Sequence, residues 1–342
     1  MSTPHSLTNA KGGQLAISLG DPAGIGAEVV LKALADWPWE GPKPLLVGCR
    51  RWLERCYEQL RPLSPHPLAD PAALELIDLP LAETIAPGQA GAASGAASFL
   101  WLSEAVAQVQ AGRCRALITA PIAKHAWHAA GHPYPGQTER LAELSGVAEA
   151  SMLFTARSPH SGWRLNTLLA TTHIPLAAVP STLSAERLQH KLDVLLQFCR
   201  RFHERPRLVV AGLNPHAGEQ GQLGREEQER LMPALEAWRQ RNSAVELIGP
   251  LPPDTCWLDA AQAWQGVSGG DARAADGYLA LYHDQGLIPV KLLAFDQAVN
   301  TSLGLPFLRT SPDHGTGFAI AGQGIARAAS MRAAIEAAQE LG

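Results

Sequence analysis

The strongest constraint on the fold is an alternation of short apolar runs with longer helical stretches along the chain. Such a pattern is typical of strands that pair in parallel through helical crossovers. The segments Ser98–Ala111 and Ala185–Phe202 are predicted to be amphipathic helices of this kind. The sequence therefore predicts an α/β protein with a mostly parallel sheet. The predicted strands are Leu15–Leu19, Pro44–Gly48, Ala116–Thr119, Leu168–Thr172, Arg207–Leu213, Leu279–Tyr282 and Gly317–Ala321.

Length and charge narrow the class of protein. A chain of 342 residues is long for one hydrophobic core, so two domains, or two lobes of one α/β unit, are expected. The chain is 46% hydrophobic and 18% charged, and its formal net charge is -4. Neither a basic block nor an apolar run of about 18 residues is present, so the composition predicts binding to neither nucleic acid nor membrane.

The cysteines and the first residues bear on the compartment. The five cysteines are scattered, odd in number and without C-x-x-C spacing, which predicts neither a disulfide framework nor a thiolate zinc site. Met1–His5 is polar and lacks the basic and apolar regions of a signal peptide. These features together predict a cytoplasmic protein.

A glycine-rich loop, "GDPAGIGAE" (Gly20–Glu28), joins the first predicted strand to a helix predicted to start at Ala27. A strand, a glycine turn and a helix aim backbone N–H groups and a helix dipole at an anion. However, the glycines are spaced G-x-x-x-G-x-G rather than G-x-G-x-x-G, and no G-K-[ST] follows. The residues alone leave two interpretations: a loop at the edge of a ligand site, or a plain tight turn with glycine at positive φ.

Three histidines, His173, His216 and His283, each lie just beyond a predicted strand. In α/β sheets, ligands bind outside the carboxyl ends of the strands, so imidazoles delivered there could converge on one site. Three neutral imidazoles with one open position suit a catalytic divalent metal, zinc especially. The alternative is that these three, like most of the twelve histidines, are ordinary surface or core residues.

The chain after His283 is rich in polar groups suited to an anion. Arginine offers a planar fork that matches phosphate or carboxylate, and lysine offers a point charge. In the stretch "VNTSLGLPFLRTS", Asn300 and Arg309 flank an apolar run that contains a glycine, which favours a packed site over a solvated loop. A small substrate that carries both anions would use both cations. The polar groups are Asp284, Lys291, Asn300, Thr301, Ser302 and Arg309.

The segment "SPDHGTGFAIAGQGIA" (Ser311–Ala326) contains two glycine turns, and the second opens the last predicted helix. Such turns supply many backbone donors. Ser311–Ala326 is therefore a better candidate for nucleotide binding than the first glycine loop.

Taken together, these motifs resemble the 4-hydroxythreonine-4-phosphate dehydrogenase family. The resemblance covers nearly the whole chain, because the family's motifs occur in the right order from the first glycine loop to the last. The motifs are "GDPAGIGAE", "TAPIAK", "GQTE", "ATTHIPL", "GLNPHAGE", "GPLPPDT", "YHDQGL", "VNTSLGLPFLRTSPDHGT" and "AGQGIA".

The resemblance implies a two-lobed α/β/α sandwich of the isocitrate/isopropylmalate dehydrogenase-like type, with a mostly parallel sheet, and not a Rossmann fold. Residues 1–128 together with 290–342 are expected to form the cofactor-side lobe. Residues 129–289 are expected to form the lobe for substrate, metal and dimerisation. "GDPAGIGAE" is similar to the "GDGIGPE"-type loop of this fold, which implies a place at the cleft edge and leaves Asp21 without an assigned role.

The implied activity is oxidation of 4-phosphohydroxy-L-threonine at C3 by NAD or NADP to 2-amino-3-oxo-4-phosphooxybutanoate. Decarboxylation to 3-amino-2-oxopropyl phosphate follows, in pyridoxal 5'-phosphate (vitamin B6) synthesis. The resemblance also implies one divalent metal per subunit, namely Zn, Co or Mg. It further implies a homodimer with the active site at the subunit interface.

The family's motifs assign roles to individual residues of this chain. The implied metal ligands are His173, His216 and His283. The implied substrate-binding residues are Gln137, Thr138, Lys291, Asn300 and Arg309. The implied catalytic residues are Asp254, Asp284 and Lys291. The implied cofactor-binding residues are Asp313, His314, Gly315, Thr316, Gly322 and Gly324.

Two features depart from the family pattern. The family usually has "GHTE" where this chain has "GQTE", so Gln137 replaces an imidazole with an amide that cannot carry charge or transfer a proton. Extra length between Asp254 and His283, around "AWQGVSGGDARAAD", is interpreted as a surface insertion.

Several functions therefore stay open at this point. Gln137 is compatible with a paralogous enzyme that acts on phospho-D-threonate or 4-phosphoerythronate. A zinc hydrolase would account for the histidines but not for the two glycine turns. A non-catalytic module that binds a phosphorylated metabolite would bind ligand without reducing NAD.

Overall fold

The computed structural model describes residues 13–38, 41–268 and 274–342. The chain divides into two compact units: unit 1 is Met1–Ala150 with Val299–Gly342, and unit 2 is Ser151–Ala298. Met1–His5 and residues 269–273 of the proposed insertion lie outside the described residues. The predictions about export and about that insertion therefore stay predictions, as do the roles of the two lobes.

Strands and helices alternate through most of the described chain. The strands described are β1 (Gln14–Ser18), β2 (Leu45–Gly48), β3 (Glu75–Asp78), β4 (Cys114–Thr119), β5 (Ser151–Arg157), β6 (Arg164–Leu169), β7 (Arg207–Ala211), β8 (Glu246–Leu251), β9 (Gly277–Ala280), β10 (Val299–Leu303) and β11 (Leu308–Pro312). The α-helices described are α1 (Gly26–Leu34), α2 (Arg50–Leu60), α3 (Ala92–Gln110), α4 (Lys124–Ala129), α5 (Gln137–Leu144), α6 (Val179–Thr182), α7 (Ala185–Cys199), α8 (Met232–Arg241), α9 (Leu258–Gln265), α10 (His283–Ala294) and α11 (Ala329–Leu341). None of these described helices combines the length and the apolar character that crossing a membrane requires.

The strands of unit 1 lie in the order β3-β2-β1-β4-β11-β10. All neighbours are parallel except β10 and β11, which form an antiparallel hairpin. Leu15, Ala16 and Ile17 of β1 are all buried, as expected for a central parallel strand that is covered on both faces. Helix α11 packs against β11 and α1, so the end of the chain completes this unit.

The strands of unit 2 lie in the order β5-β6-β9-β7-β8. Here β5 and β6 form an antiparallel hairpin, and the remaining neighbours are parallel. The core of this unit includes Leu165, Tyr278 and Leu287, which pack together from strands and from α10. The prediction of an α/β class with a mostly parallel sheet is confirmed.

One predicted strand is wrong. Gly317–Ala321 is apolar like a strand, but Gly317 has φ +58 and ψ +38, a left-handed conformation that opens a turn. A short 3-10 turn follows at Phe318–Ile320. The other predicted strands are present, although the one predicted at Leu168–Thr172 already begins at Arg164. Strands β3, β5, β8, β10 and β11 were not predicted.

Candidate active site

The three histidines predicted as metal ligands follow three neighbouring strands of unit 2. His173 follows β6, His216 follows β7, and His283 opens α10 after β9. Strand β9 pairs in parallel with both β6 and β7. Because the carboxyl ends of parallel neighbours meet at one edge, the fold brings all three segments to the same edge of this sheet.

Two of these imidazoles lie close together. The ring centroids of His173 and His283 are 5.5 Å apart. Two imidazoles that bind one zinc ion at tetrahedral angles, with Zn–N bonds of about 2.0 Å, would have centroids about 5 Å apart, so the pair fits a shared cation. The third does not join them: among the described residues, no group of three or more His, Cys, Asp or Glu side chains is placed to hold a metal ion. The three-histidine site therefore stays a prediction.

A carboxylate orients one imidazole of the pair. His283 Nδ1 lies 2.7 Å from Asp284 Oδ1, so the ring donates from Nδ1 and keeps Nε2 available. A carboxylate on the far nitrogen is the usual support of a metal-binding histidine. Asp284, predicted as a catalytic residue, is thus placed to orient His283.

His216 begins an unusual left-handed turn. The φ angles are +51 for His216, +49 for Ala217, +85 for Gly218, +43 for Glu219 and +56 for Gln220. Only one of these residues is glycine, and each other residue in this conformation costs about 1–2 kcal/mol. Backbone strain of this kind clusters at functional sites, which supports a specific role for the His216 segment.

Glu227 anchors the segment that leads into this turn. Its side chain is 1% exposed. Oε1 accepts from the backbone N–H groups of Leu213 (2.8 Å) and Asn214 (2.7 Å), and Oε2 accepts from the Asn214 side-chain amide (2.9 Å). A Cβ on Gly218 would lie 2.8 Å from Glu227 Oε2, so glycine is needed there. Sequence reasoning missed Glu227, because "GREEQER" looks like a solvated helix surface.

The other two predicted catalytic residues of unit 2 lie on a turn and on a helix. Asp254 is exposed in the turn after β8. Lys291 lies on α10 with its Nζ 5.9 Å from the centre of the Phe295 ring. Lys291 is seven residues after Asp284, and this spacing puts both side chains on the same side of the helix. Their catalytic roles stay predictions.

Arg309 of β11 is the central feature of the predicted substrate residues in unit 1. It is 3% exposed, and burial lowers its pKa to about 10. Nε and Nη2 donate to Thr119 Oγ1 (3.1 and 2.7 Å), and Nη1 donates to Ser302 Oγ (3.3 Å). Within the described part of the chain, no carboxylate pairs with it. A buried guanidinium that is bonded only to hydroxyl groups lacks a counter-charge and is suited to bind an anion.

Asn300 shares the face of the hairpin that carries Arg309. Asn300 pairs with Ser311 and Ser302 pairs with Arg309 across β10 and β11. Because side chains alternate along a strand, Asn300 and Ser302 point to the same face as Arg309. Asn300 Oδ1 is buried and has no hydrogen-bond partner among the described residues. An amide acceptor without a partner thus lies beside a guanidinium without a counter-charge.

Gln137 begins α5 near the carboxyl end of β4. Its Nε2 donates to the Ala120 carbonyl at 3.3 Å, and Ala120 follows Thr119, the residue that holds Arg309. Gln137 Oε1 is buried without a hydrogen-bond partner in the described chain. Thr138 is the next residue and is half-buried. The fold therefore puts Gln137 near the same strand end as the Arg309 guanidinium.

The first predicted cofactor turn contains an open space and an unsatisfied nitrogen. His314 Nδ1 lies 3.0 Å from the Gly315 carbonyl, so Nδ1 carries the hydrogen. His314 Nε2 is buried and has no partner among the described residues. A Cβ added to Gly315 would meet nothing within 4 Å, and Asp313 donates its N–H to Ser330 Oγ at 3.1 Å. The unpartnered nitrogen of His314 fits a turn that receives a ligand.

The second predicted cofactor turn is built on left-handed glycines. Gly322 has φ +77 and Gly324 has φ +74. Side chains at either position would clash, because a Cβ would lie 2.8 Å from Gln59 Nε2 at Gly322 and 2.9 Å from the Leu63 carbonyl carbon at Gly324.

"GDPAGIGAE" is a tight turn that supports the first of these cofactor turns. Ile25 donates its N–H to the Thr316 carbonyl at 2.9 Å, and a Cβ on Gly24 would lie 2.7 Å from the same oxygen. Asp21 is fully buried, accepts from Ala23 N at 2.9 Å and from Ser94 Oγ at 3.3 Å, and has its pKa raised by burial. Gly20 has φ +74, so the stretch is a tight turn with glycine at positive φ, and its place at the edge of a ligand site stays a prediction.

Comparisons with known proteins agree on one family. The model described as Pyridoxal phosphate biosynthetic protein PdxA matches residues 40–338. The 4-hydroxythreonine-4-phosphate dehydrogenase of Synechococcus sp. (strain RCC307) is 68% identical, with 96% of this chain and 99% of that protein covered. The D-threonate 4-phosphate dehydrogenase of Pectobacterium atrosepticum is 37% identical, with 96% and 98% covered. A crystal structure of 4-hydroxythreonine-4-phosphate dehydrogenase from Klebsiella pneumoniae is similar with a TM-score of 0.81 and 38% identity, covering 98% of this chain and 99% of that one. The chain therefore belongs to the family of Pyridoxal phosphate biosynthetic protein PdxA.

Proposed function

We propose that this dehydrogenase oxidises 4-phosphohydroxy-L-threonine at C3 with NAD or NADP, giving 2-amino-3-oxo-4-phosphooxybutanoate. Loss of CO2 from this β-keto acid leaves 3-amino-2-oxopropyl phosphate, in the synthesis of pyridoxal 5'-phosphate (vitamin B6). Curated relatives at 53–68% identity carry the name of this activity, which favours this substrate over the phosphorylated threonate and erythronate.

The buried Arg309 is the observation that carries the proposal. Its guanidinium is bonded to the hydroxyls of Thr119 and Ser302 and has donors left for a phosphate or carboxylate oxygen. The substrate carries both anions. Asn300 Oδ1 and Gln137 Oε1, which are buried without partners in the described residues, can accept from its amine or hydroxyl. Thr138 completes the proposed substrate set of unit 1.

The oxidation needs a hydride acceptor and a group that takes the hydroxyl proton. In the proposed reaction, the C3 hydride passes to the nicotinamide ring and the hydroxyl proton passes to a side chain. Asp284 already bonds His283, so its proposed task is to orient that imidazole. Asp254 and Lys291 are then the proposed groups that take and return protons.

His173 and His283, with His216 as the third ligand, are proposed to hold a divalent cation such as zinc, cobalt or magnesium. The 5.5 Å separation of the first two rings and the support of His283 by Asp284 fit that role. When bound, such an ion would act as a Lewis acid on the substrate oxygen. Glu227 would place His216 by fixing the segment before the left-handed turn.

The nicotinamide cofactor is proposed to bind at the two glycine turns of unit 1. The left-handed glycines Gly322 and Gly324 and the unpartnered His314 Nε2 support this placement. The proposed contacts are Asp313, His314, Gly315, Thr316, Gly322 and Gly324.

A homodimer is also proposed, on the basis of an apolar stripe on α10. Ile288, Leu292 and Phe295 are 59%, 80% and 59% exposed. Their spacing of four and three residues puts them on one face of the helix that begins with His283. Exposed apolar stripes mark protein interfaces, and a partner copy seated here would lie beside the proposed metal ligands. Replacement of Leu292 by aspartate should convert a dimer to monomers in analytical ultracentrifugation.

The function is tested by following nicotinamide absorbance with metal-stripped protein and with zinc-, cobalt- or magnesium-restored protein. The substrates are 4-phosphohydroxy-L-threonine, 4-phosphoerythronate and phospho-D-threonate. Turnover with the threonine compound alone supports the proposal. Turnover only with one of the others moves the protein to a paralogous activity, as in the Pectobacterium relative. Hydrolysis without nicotinamide indicates a metal hydrolase, and binding without turnover indicates a non-catalytic module.

Arg309→Met tests the anion site within the same assay. Loss of a buried charged donor to the substrate should lower kcat/KM by about a hundredfold or more. Arg113→Met is the matched control, because Arg113 is on the surface in an ion pair with Glu75. An unchanged kcat/KM in Arg309→Met would remove the main support for the proposal.

A further inference from the structure

We infer that a buried ion pair, Glu28 with Lys32, is the positioning device that holds the second cofactor turn in its binding conformation. Both residues lie on α1, and Glu28 is also the last residue of the first glycine loop. The inference rests on the proposed function, since it takes Gly322–Ala326 to be a cofactor-binding turn. It gives this first glycine loop and its helix a role that the motif alone did not reveal.

The contacts of Lys32 join α1 to the turn. Its Nζ donates to the Gly324 carbonyl (2.8 Å), to the Ala326 carbonyl (2.8 Å) and to Glu28 Oε1 (2.7 Å). An ammonium group has three N–H donors, so all of them are used. Two of the three go to the backbone of the cofactor turn.

Glu28 completes the ring of contacts. Its Oε1 also accepts from the Ala326 N–H at 2.7 Å. The ion pair therefore bonds one N–H group and two carbonyl groups of the turn. Glu28 is 2% exposed and Lys32 is 7% exposed, which makes this a desolvated pair. Glu28 Oε2 has no hydrogen-bond partner among the described residues.

A pair of this kind is better explained by positioning than by stability. Desolvation of two charges opposes their attraction, and replacing a buried pair with apolar isosteres is often neutral or stabilising. The unpartnered Glu28 oxygen makes the pair still less favourable. What the pair provides is a fixed geometry for a turn whose left-handed glycines would otherwise have many accessible conformations.

The same segment holds the first cofactor turn by backbone contacts. Ile25 N–H bonds the Thr316 carbonyl at 2.9 Å, and a Cβ on Gly317 would lie 2.9 Å from the Ile25 side chain. The loop and the first helix therefore touch both turns, one through the main chain and one through the ion pair. Loosening the ion pair should affect the second turn while the first stays in place.

The decisive variant is Glu28→Gln with Lys32→Met, which keeps the side-chain volumes and removes both charges. The measurement is the Kd for NAD and for NADP by titration calorimetry, together with the Kd for 4-phosphohydroxy-L-threonine. Small displacements of binding groups have large effects on affinity and rate, so the nicotinamide Kd should rise by about tenfold or more. The substrate Kd should stay unchanged, because Arg309 does not touch the pair.

The matched control is Glu75→Gln, which breaks the exposed ion pair of Glu75 with Arg113 in the same unit. It should leave all three dissociation constants unchanged. If a folded double variant binds NAD and NADP as tightly as the wild type, the inference is wrong. If the wild type binds neither nicotinamide, the proposed cofactor site fails first, and the inference fails with it.

If the double variant does not fold, Glu28→Asp provides a second test of the inference. It preserves the charge beside Lys32 but withdraws the carboxylate from the Ala326 N–H, so a smaller rise in the nicotinamide Kd is expected. Hydrogen exchange of the 322–326 amides should accelerate in the same variant. Unchanged exchange there, with an unchanged Kd, would contradict a positioning role.

Discussion

Each unit holds a turn that is proposed to bind or position a ligand and that is anchored by a buried glutamate, but the two anchors differ. In unit 1, Glu28 accepts from an N–H group of the turn, and Lys32 donates to two of its carbonyl groups. The left-handed residues of this turn are glycines. In unit 2, Glu227 accepts only from amide N–H groups and precedes a turn in which four left-handed residues are not glycine. Glycine gives the first turn a wide choice of backbone conformations, whereas the residues other than glycine make the second turn strained.

This difference indicates what each anchor has to supply. A glycine turn costs little to form, so its anchor mainly selects one conformation. The second turn places a histidine, an alanine, a glutamate and a glutamine in the left-handed conformation. The free-energy cost of that conformation must be offset by favourable contacts elsewhere. Removing Glu227 should therefore affect stability, whereas removing the ion pair should mainly affect affinity.

The largest effect is expected from Glu227→Gln. Its second oxygen becomes an amide donor that faces the Asn214 amide, and a buried network is left unsatisfied. The free energy of unfolding should fall by about 2–4 kcal/mol. Cobalt affinity, measured by titration of the metal-stripped protein, should fall by about tenfold to a hundredfold. Glu229→Gln, an exposed neighbour, is the control, and an unchanged cobalt affinity in Glu227→Gln would show that the turn does not position a ligand.

A smaller effect is expected when the cofactor turn itself is changed by Gly324→Ala. A Cβ there would lie 2.9 Å from the Leu63 carbonyl carbon and from Ser64 N, in addition to the φ of +74. Gly112→Ala is a matched control with φ +75 and nothing within 4 Å. Chemical denaturation should show a loss of about 1 kcal/mol for Gly112→Ala and of about 2–3 kcal/mol for Gly324→Ala. Equal losses in the free energy of unfolding would mean that the backbone at Leu63 can move away from the new methyl group at no cost.

The strain in unit 2 is tested directly by Ala217→Gly. Because Ala217 has φ +49, glycine should relieve the strain and raise the free energy of unfolding by up to about 1 kcal/mol. The exposed Ala237 lies in α8, in a right-handed conformation, so Ala237→Gly should lower stability by about 1 kcal/mol. Urea denaturation should therefore show changes of opposite sign in the free energy of unfolding for the two substitutions. Destabilisation by both substitutions would show that the left-handed turn is not strained.

The smallest effect concerns Asp21, a buried residue of the first glycine loop. Burial raises its pKa, so the folded protein binds this proton more tightly than the unfolded chain does. Its contribution to stability is therefore greatest at acid pH and declines as pH rises through the interval from the ordinary to the raised pKa. At neutral pH, the free energy of unfolding of Asp21→Asn should equal that of the wild type or exceed it by less than about 1 kcal/mol. Clear destabilisation at neutral pH, compared with Asp36→Asn on the surface, would contradict this balance.

Much of the fold could be predicted from sequence because central parallel strands are continuous apolar runs. Leu15–Leu19 and Arg207–Leu213 have that character, and both contain a strand. Two of the missed strands lack it: β10 is "VNTSL" and β11 is "LRTSP", and both carry residues of the proposed anion site. The false strand at Gly317–Ala321 had the right composition, but a left-handed glycine, which composition does not reveal, turns the chain there.

The site was predictable to the extent that it lies at strand ends. His173, His216 and His283 do follow neighbouring strands. His283 and Asp284, which are hydrogen-bonded to each other, are also neighbours in the sequence. The anchor of unit 1 was not predicted, because it acts across a large separation: Lys32 bonds residues 292 and 294 positions further along the chain. Charged residues in the apolar run "EVVLKAL" were the available signal, since a lysine in a buried helix needs a partner.

Unit 1 is assembled from both ends of the chain, which bears on folding during synthesis. Strand β11 pairs with β4, and α11 packs on α1, so this unit lacks its last strands and helix until residues 299–342 have been synthesised. Unit 2 is one continuous segment, and domains generally fold as units in the order of synthesis. Unit 2 can therefore fold before unit 1 is complete. A chain that stops before Gly324 never forms the contacts of Lys32 with Gly324 and Ala326, so premature termination would yield a protein with the histidine segments but without the second of the proposed cofactor turns.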